Sequence, residues 1–402
     1  MVEPVELDTP LTAAIDLDRV RADTPGCLDR VFLDSAGSSL PPRPVLDEVV
    51  GHLRREAEIG GYLAAAERAE DLEDGYRVLA ELLGCAPSEI AFTDSATRSW
   101  LAALDAVPLG PGDRVLTTEA EYGGNAIPLL RLAAQVGASV EPVPSGPDGL
   151  LDVVALRERL DERVKLVSLV HVPTNGGLVN PVAEAAKAAH EVGALVLLDA
   201  CQSIGQLPVS LTDLGVDIIT GTGRKWLRGP RGTGVLAVRR DVLGRLRPRL
   251  VDLRGGVWTG PAEFELRPDA RVFELWESSV ADRLGLIGAA RYALALGLPA
   301  IEAAVADRAG RLRAGLAEVP GVEVRDLGDR PCGLVSFTVE DTEAEAVKAA
   351  LADKDISVTV SRRPSTRYDM TRRGLVELVR ASPHYFVTPE QIDTAVAAVA
   401  AL

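Results

Sequence analysis

The stretch GTGRKWLRGPRGTG, residues 221 to 234, crowds glycines around one lysine, Lys225, directly after the apolar run VDIIT. Three chemistries compete for such a lysine: a phosphate cradle for a nucleotide, a covalent bond to a cofactor, or an ordinary basic surface loop. A Walker-type cradle requires serine or threonine after the lysine, and Trp226 stands there instead. A dinucleotide fold requires a GxGxxG turn after its first strand, and none follows. Two other sites change the balance. Asp199 ends the run ALVLL, and a carboxylate at the end of a strand apolar on both faces costs desolvation unless a cation sits opposite it. After EIAFT come Asp94, Ser95, Ala96 and Thr97, which open a helix. Free backbone N–H groups and the positive dipole end make that a ready anion site, although Ser95 and Thr97 serve equally as plain caps. An anion hole, a carboxylate and an amine in this chain order are what pyridoxal phosphate demands, for its phosphate, its protonated pyridine nitrogen and its imine.

These residues need strand ends to hold them. Short apolar runs alternate with amphipathic stretches from about residue 30 to 240: RVFLDSAG, EIAFTDSA, DRVLTTEAEY, SVEPVPS, VKLVSLVHV, ALVLLDACQS, VDIITGTG and GVLAVRR. Between them, Val182, Ala185, Ala186 and Ala189 fall at helical spacing before a terminating glycine. The alternation predicts an α/β domain with a mostly parallel sheet, whose ligands bind beyond the carboxyl ends of the strands. After about residue 260 the pattern becomes that of a smaller α+β lobe closed by the helix TPEQIDTAVAAVAAL. The expected division is a large domain over 26–262 and a small one over 1–25 and 263–402.

The totals narrow the function. A chain of 402 residues, 47% hydrophobic, is long enough for two packed lobes. Its net charge of -16 repels phosphate backbones and anionic lipids, against a nucleic-acid or membrane-surface role. Cys27, Cys85, Cys201 and Cys332 lack CxxC spacing, so no metal site or disulfide framework is expected, and the reducing cytoplasm fits. The opening has neither a basic nor an apolar targeting region, so neither export nor membrane insertion is expected.

The stretches FLDSAGSSLPP, FTDSATRSW, EAEYGGNAIP, LVHVPTNGGLVNP, LLDACQSIGQ, TGTGRKWLRGPRGTGVL and VRASPHYFVTPEQID together resemble the class V aminotransferase family of fold-type I pyridoxal-phosphate enzymes over nearly the whole chain. The resemblance implies a seven-stranded large domain and a homodimer with active sites at the interface. It implies that Lys225 carries the cofactor, Asp199 pairs with its ring nitrogen, and Gln202 meets its phenolic oxygen with help from Thr174 or Asn175. Ser95, Ala96, Thr97 and Thr222 would hold the phosphate, with Arg224 beside them. Arg380 would grip the substrate carboxylate as a bidentate fork. Ser35, Ala36, Tyr62, Trp276 and Glu277 are further candidates for the substrate side. Tyr62 could equally anchor a loop, and Trp276 and Glu277 could pack or solvate a rim.

Departures from the family pattern matter too. Desulfurases of this family place a histidine over the ring in the segment matching EYGGN, where glycine stands here with Tyr122 beside it. They also carry a nucleophilic cysteine before the carboxylate-binding arginine, and SRRPSTRYDMTRRGLVELVR contains none. Persulfide chemistry is therefore not expected. A phosphate role for Ser278 or Ser279 stays open, His171 reads as a structural histidine, and Cys201 as a small packing residue. RRPSTRYDMTRR reads as a solvated loop or a lid. Within the class, the sequence is most similar to the C–S lyases of ergothioneine biosynthesis and of lincosamide pathways. The implied reaction is β-elimination from a cysteine S-conjugate; the alternatives are an aminotransferase, an epimerase or a decarboxylating oxidative deaminase.

Overall fold

The computed structural model describes residues 15–402. Residues 1–14, part of the segment assigned to the small lobe, lie outside the described residues.

The first strand among the described residues is the two-residue β1 (Val31–Phe32), and a central sheet follows. Its strands are β2 (Ile90–Thr93), β3 (Arg114–Thr118), β4 (Ser139–Val143), β5 (Val164–Val170), β6 (Leu195–Asp199), β7 (Ile218–Thr222) and β8 (Gly234–Val238). Their spatial order is β2-β8-β7-β6-β5-β3-β4. β8 runs antiparallel to both neighbours, and the other six run parallel to one another, as the alternating pattern predicts.

Successive side chains of a strand point to opposite faces, and here each face feeds its own core. Val196 and Leu198 of β6 join one cluster, with Ala185 and Ala186 of the helix Val182–Glu191. Leu195 and Leu197 join another, with Ala103 and Leu104 of the helix Ala96–Ala106. Burial on both faces is why these strands read as continuous apolar runs. The parallel strands also deliver Thr93, Thr118, Val170, Asp199 and Thr222 to one edge of the sheet, since each ends its strand.

Beyond the sheet, β9 (Gly256–Gly260) and β10 (Glu263–Leu266) form an exposed hairpin. β11 (Val322–Val324), β12 (Val335–Val339), β14 (Thr359–Arg362) and β15 (Glu377–Ala381) form an antiparallel sheet of order β11-β12-β15-β14. β1 pairs in parallel with β13 (Ile356–Ser357). The run RVFLDSAG, expected as a strand in series with the central sheet, therefore pairs elsewhere. It is too short to span that sheet, and Val31 and Leu33 bury in the same core as Ile356. Among the described residues, no single helix is long and apolar enough to cross a membrane.

His384 joins the two halves of the chain. It is fully buried; its Nε2 lies 2.9 Å from the Trp226 carbonyl and its Nδ1 accepts the Tyr385 N–H at 2.9 Å. The neutral tautomer with hydrogen on Nε2 satisfies both contacts. Burial pushes its pKa down from 6.5 to about 3, and burial likewise lowers that of His171 to about 4. Because the folded values lie below the unfolded one, these histidines contribute stability that is present above about pH 6.5 and is lost as pH falls toward the folded values. The melting temperature is expected to drop between pH 7 and pH 4. In His384→Gln, which keeps a polar side chain but cannot titrate, calorimetry across that range should give a flatter slope; an equally steep one would contradict the assignment.

Candidate active site

Lys225 sits just beyond β7, on a loop held from both sides. The next residue, Trp226, is buried and donates its indole N–H to Oε1 of Gln202 at 2.9 Å. Arg228, at φ 63, is also buried; its Nε donates to the Leu40 carbonyl and its Nη1 to the Tyr385 hydroxyl, each at 2.8 Å, while Nη2 donates to Thr24. Arg224 donates to the carbonyl of Gly37. Against this loop the chain turns at Gly205, with φ +93, so tightly that a Cβ there would overlap the backbone of Trp226 and Leu227.

A cavity of about 260 Å³ opens at Lys225. Ser95, Ala96, Thr97, Tyr122, Thr174, Asp199, Gln202, Thr222 and Arg224 all line it, so ten of the residues singled out from the sequence, Lys225 included, meet around one space. Ser95 caps the helix Ala96–Ala106, its hydroxyl accepting the Arg98 N–H at 3.1 Å, which leaves the N–H groups of the first turn directed at the cavity end of that helix. Gln202 has one amide hydrogen committed to the Ala36 carbonyl at 3.1 Å and its oxygen to Trp226, leaving one N–H for a ligand. Tyr122 is 45% exposed, at the start of the helix Gly123–Val136. Burial lowers the pKa of Lys225 and thereby raises the share of its uncharged amine.

Asp199 is buried at the end of β6. Its Oδ1 accepts the Cys201 N–H at 2.9 Å and its Oδ2 accepts from Nδ2 of Asn125 at 2.8 Å. Asn125 also donates to Glu121 at 2.9 Å. Sequence reasoning passed over both residues inside EAEYGGN, although a carboxylate and an amide four positions apart at a helix start were a visible signal. Trp100 and Arg231 also line the cavity and were likewise missed.

Other candidates lie outside this lining. Arg380 is buried one step behind it: its Nη1 donates to Oγ1 of Thr174 at 2.6 Å, and Nη2 stands 3.7 Å from Asp34. Asn175 donates to Thr366 at 2.8 Å and faces the 363–373 segment. Ser35 and Ala36 are buried; Ala36 reaches the cavity only through its bond to Gln202. Tyr62, at 86% exposure, and Trp276, at 60%, do not line it. Glu277, Ser278 and Ser279 line a separate cavity of about 50 Å³ that also includes Thr93 and Gly232.

The model of the family described as Aminotransferase class-V matches residues 31–394. The chain belongs to that family. A probable cysteine desulfurase of Mycobacterium leprae is 33% identical, the match covering 96% of each chain. A probable hercynylcysteine sulfoxide lyase of Mycobacterium tuberculosis is 32% identical over 94% of this chain and 91% of its own. Among solved structures, the apo cysteine desulfurase of Thermococcus onnurineus superposes with a TM-score of 0.89 at 26% identity, covering 96% of this chain and 97% of that one. The cystine C–S lyase C-DES, solved with its product cysteine persulfide, gives 0.85 at 26%, covering 94% and 99%.

Pyridoxal phosphate is the cofactor of this enzyme family, and the residues present fit it. The cavity combines an amine of depressed basicity, a buried carboxylate and a helix N-terminus. The buried indole N–H of Trp100, which lines it, has no hydrogen-bond partner among the described residues. Placement of the amine depends on the turn at Gly205. Gly205→Ala is expected to cost about 3 kcal/mol or more through clash and a left-handed backbone. Its cofactor content after purification, read by absorbance, should fall well below wild type; normal content would show that the turn does not set the position of Lys225.

Proposed function

We propose that this chain is a pyridoxal-phosphate-dependent carbon–sulfur β-lyase. It would cleave an S-substituted cysteine into a thiol, pyruvate and ammonia. The observation that carries this choice is the state of the thiols. Passing sulfur to the protein requires a thiolate acceptor, yet burial pushes the pKa of Cys27, Cys85, Cys201 and Cys332 upward, and these are the four cysteines of the chain. Cys201 alone of them lines the cavity, and there the adjacent Asp199 disfavours its anion further. Sulfur therefore departs with its own substituent. The names of the relatives, cysteine desulfurase and hercynylcysteine sulfoxide lyase, support cysteine and its derivatives as the substrate class.

The cofactor, when bound, supplies an electron sink that stabilises negative charge developing at the substrate Cα. Lys225 would hold it and then use its amine as the base for the Cα proton, a task suited to a lysine whose pKa burial lowers. Asp199 would face the ring nitrogen. The helix start at Ser95, Ala96 and Thr97, with Thr222 and Arg224, would hold the phosphate, and Gln202 would offer its remaining N–H to the phenolic oxygen. Tyr122 would cover the ring. Arg380 would take the substrate carboxylate, with Thr174 and Asp34 fixing its plane and Asn175 steadying the neighbouring segment. The Cα–H bond breaks with its proton passing to Lys225, and the Cβ–S bond breaks with its electron pair leaving on sulfur. The remaining enamine takes up water to give pyruvate and ammonia.

The homodimer and the cytoplasmic setting belong to this reading as well. Exposed Tyr62, Trp258, Phe264 and Trp276 offer apolar side chains to a second copy, and Glu277 or Ser278 would then meet its site.

Incubation with a panel of cysteine S-conjugates, including imidazole and sugar thiols, should release pyruvate and thiol in equal amounts. Keto acid retaining the sulfur, inverted substrate, or persulfide on the protein by mass spectrometry would overturn the lyase reading. Lys225→Ala should lose the visible absorption band that the wild-type holoenzyme is expected to show. Arg380→Lys loses the bidentate fork and should raise KM about tenfold or more; an unchanged KM would remove Arg380 from the carboxylate site.

A further inference from the structure

Glu121 is 1% exposed, yet its carboxylate has a full set of partners drawn from three places in the chain. Oε2 accepts from Oγ1 of Thr117 on β3 at 2.6 Å and from Oγ of Ser168 on β5 at 2.9 Å. Oε1 accepts the Tyr122 N–H at 2.8 Å and Nδ2 of Asn125 at 2.9 Å. The same Nδ2 donates to Oδ2 of Asp199 at 2.8 Å. One amide thus bridges two buried carboxylates, one hydrogen to each. With Oδ1 of Asp199 fixed by the Cys201 N–H, both oxygens of that carboxylate are oriented by neutral donors.

A carboxylate accepts from the nitrogen of an asparagine amide and repels its oxygen. Glu121 adds its own bias to that of Asp199, because a flipped amide would set oxygen against both carboxylates, and it fixes where the second amide hydrogen points. We propose that Glu121 and Asn125 are positioning residues: Glu121 aims the amide of Asn125, and Asn125 fixes the plane in which Asp199 presents its charge to the ring nitrogen of the cofactor. This rests on the role given to Asp199 above. The arrangement also suits the charge balance, since burial and the nearby Asp199 push the pKa of Glu121 up to about 7. The two carboxylates repel, and a cation against Asp199 relieves both.

Two variants separate orientation from charge. In Glu121→Gln the side-chain oxygen can keep the Asn125 and Tyr122 N–H donors while its NH₂ faces the hydroxyls of Thr117 and Ser168, which rotate to accept. In Asn125→Ala the side chain is truncated into an existing cavity, so the fold is expected to survive, as circular dichroism would verify. Holoenzyme of each is titrated by absorbance for the pH midpoint of the cofactor band, and cofactor dissociation is measured on dilution. Asn125→Ala is expected to bind the cofactor about tenfold or more weakly, the loss of one hydrogen bond to a charged group, and to shift the midpoint. Glu121→Gln should stay within about threefold, on the scale of a neutral-donor rearrangement. A wild-type band with unchanged dissociation and midpoint in Asn125→Ala would overturn the proposal, and so would a Glu121→Gln as impaired as Asn125→Ala, since charge rather than orientation would then matter. A wild type without any band would instead remove the cofactor reading itself.

Discussion

A negative charge buried at the end of an apolar strand must be answered by something, and that constraint organises this molecule. Asp199 ends β6, a strand enclosed on both faces, and it is only 7% exposed. The N–H donors to its side chain among the described residues are a backbone N–H and a side-chain amide, neither of which carries charge. In a medium of low polarity, neutral donors lower the cost of a carboxylate without cancelling it. The cavity at Lys225 provides the place for a cation, and the sheet topology provides the cavity, because parallel strands end together at one edge.

The opposite problem is solved at Lys225. A buried ammonium is as costly as a buried carboxylate, and the depressed pKa of Lys225 expresses that cost. Rigidity is needed to keep the amine at this position, and the loop obtains it from large side chains rather than regular structure. Trp226 bonds to Gln202 and His384, and Arg228 ties Leu40, Thr24 and Tyr385 together. These anchors come from chain segments far apart in sequence, so both ends of the chain contribute to the stiffness of one loop.

How much of this could be read beforehand follows the range of each interaction. The alternation of strands and helices, the strand-end residues Asp199 and Thr222 and the helix cap Ser95 are legible because periodicity and local capping are properties of a few adjacent residues. β1 is misread for the same reason: two residues carry no period, and their partner, Ile356, lies in a distant segment. Asn175 sits in a motif that points to the cavity, yet its side chain turns to Thr366, a contact no spacing encodes. Tyr62 and Trp276 are aromatic residues in promising contexts, but their exposure depends on what packs over helices and loops far along the chain.

The Glu121–Asn125 pair shows the limit most clearly. EYGGN displays both residues four positions apart, and nothing in it says that Asn125 reaches β6 or that Glu121 reaches β3 and β5. The helix start turns one side of Asn125 inward, and the register of β5 against β6 sets Ser168 near the same point. Two of the four donors to that carboxylate, the hydroxyls of Thr117 and Ser168, arrive through the sheet. A residue that acts on a ligand directly leaves a chemical signature in its type, whereas one that acts by orienting another leaves its signature only in geometry. The machinery that tunes Asp199 is of the second kind.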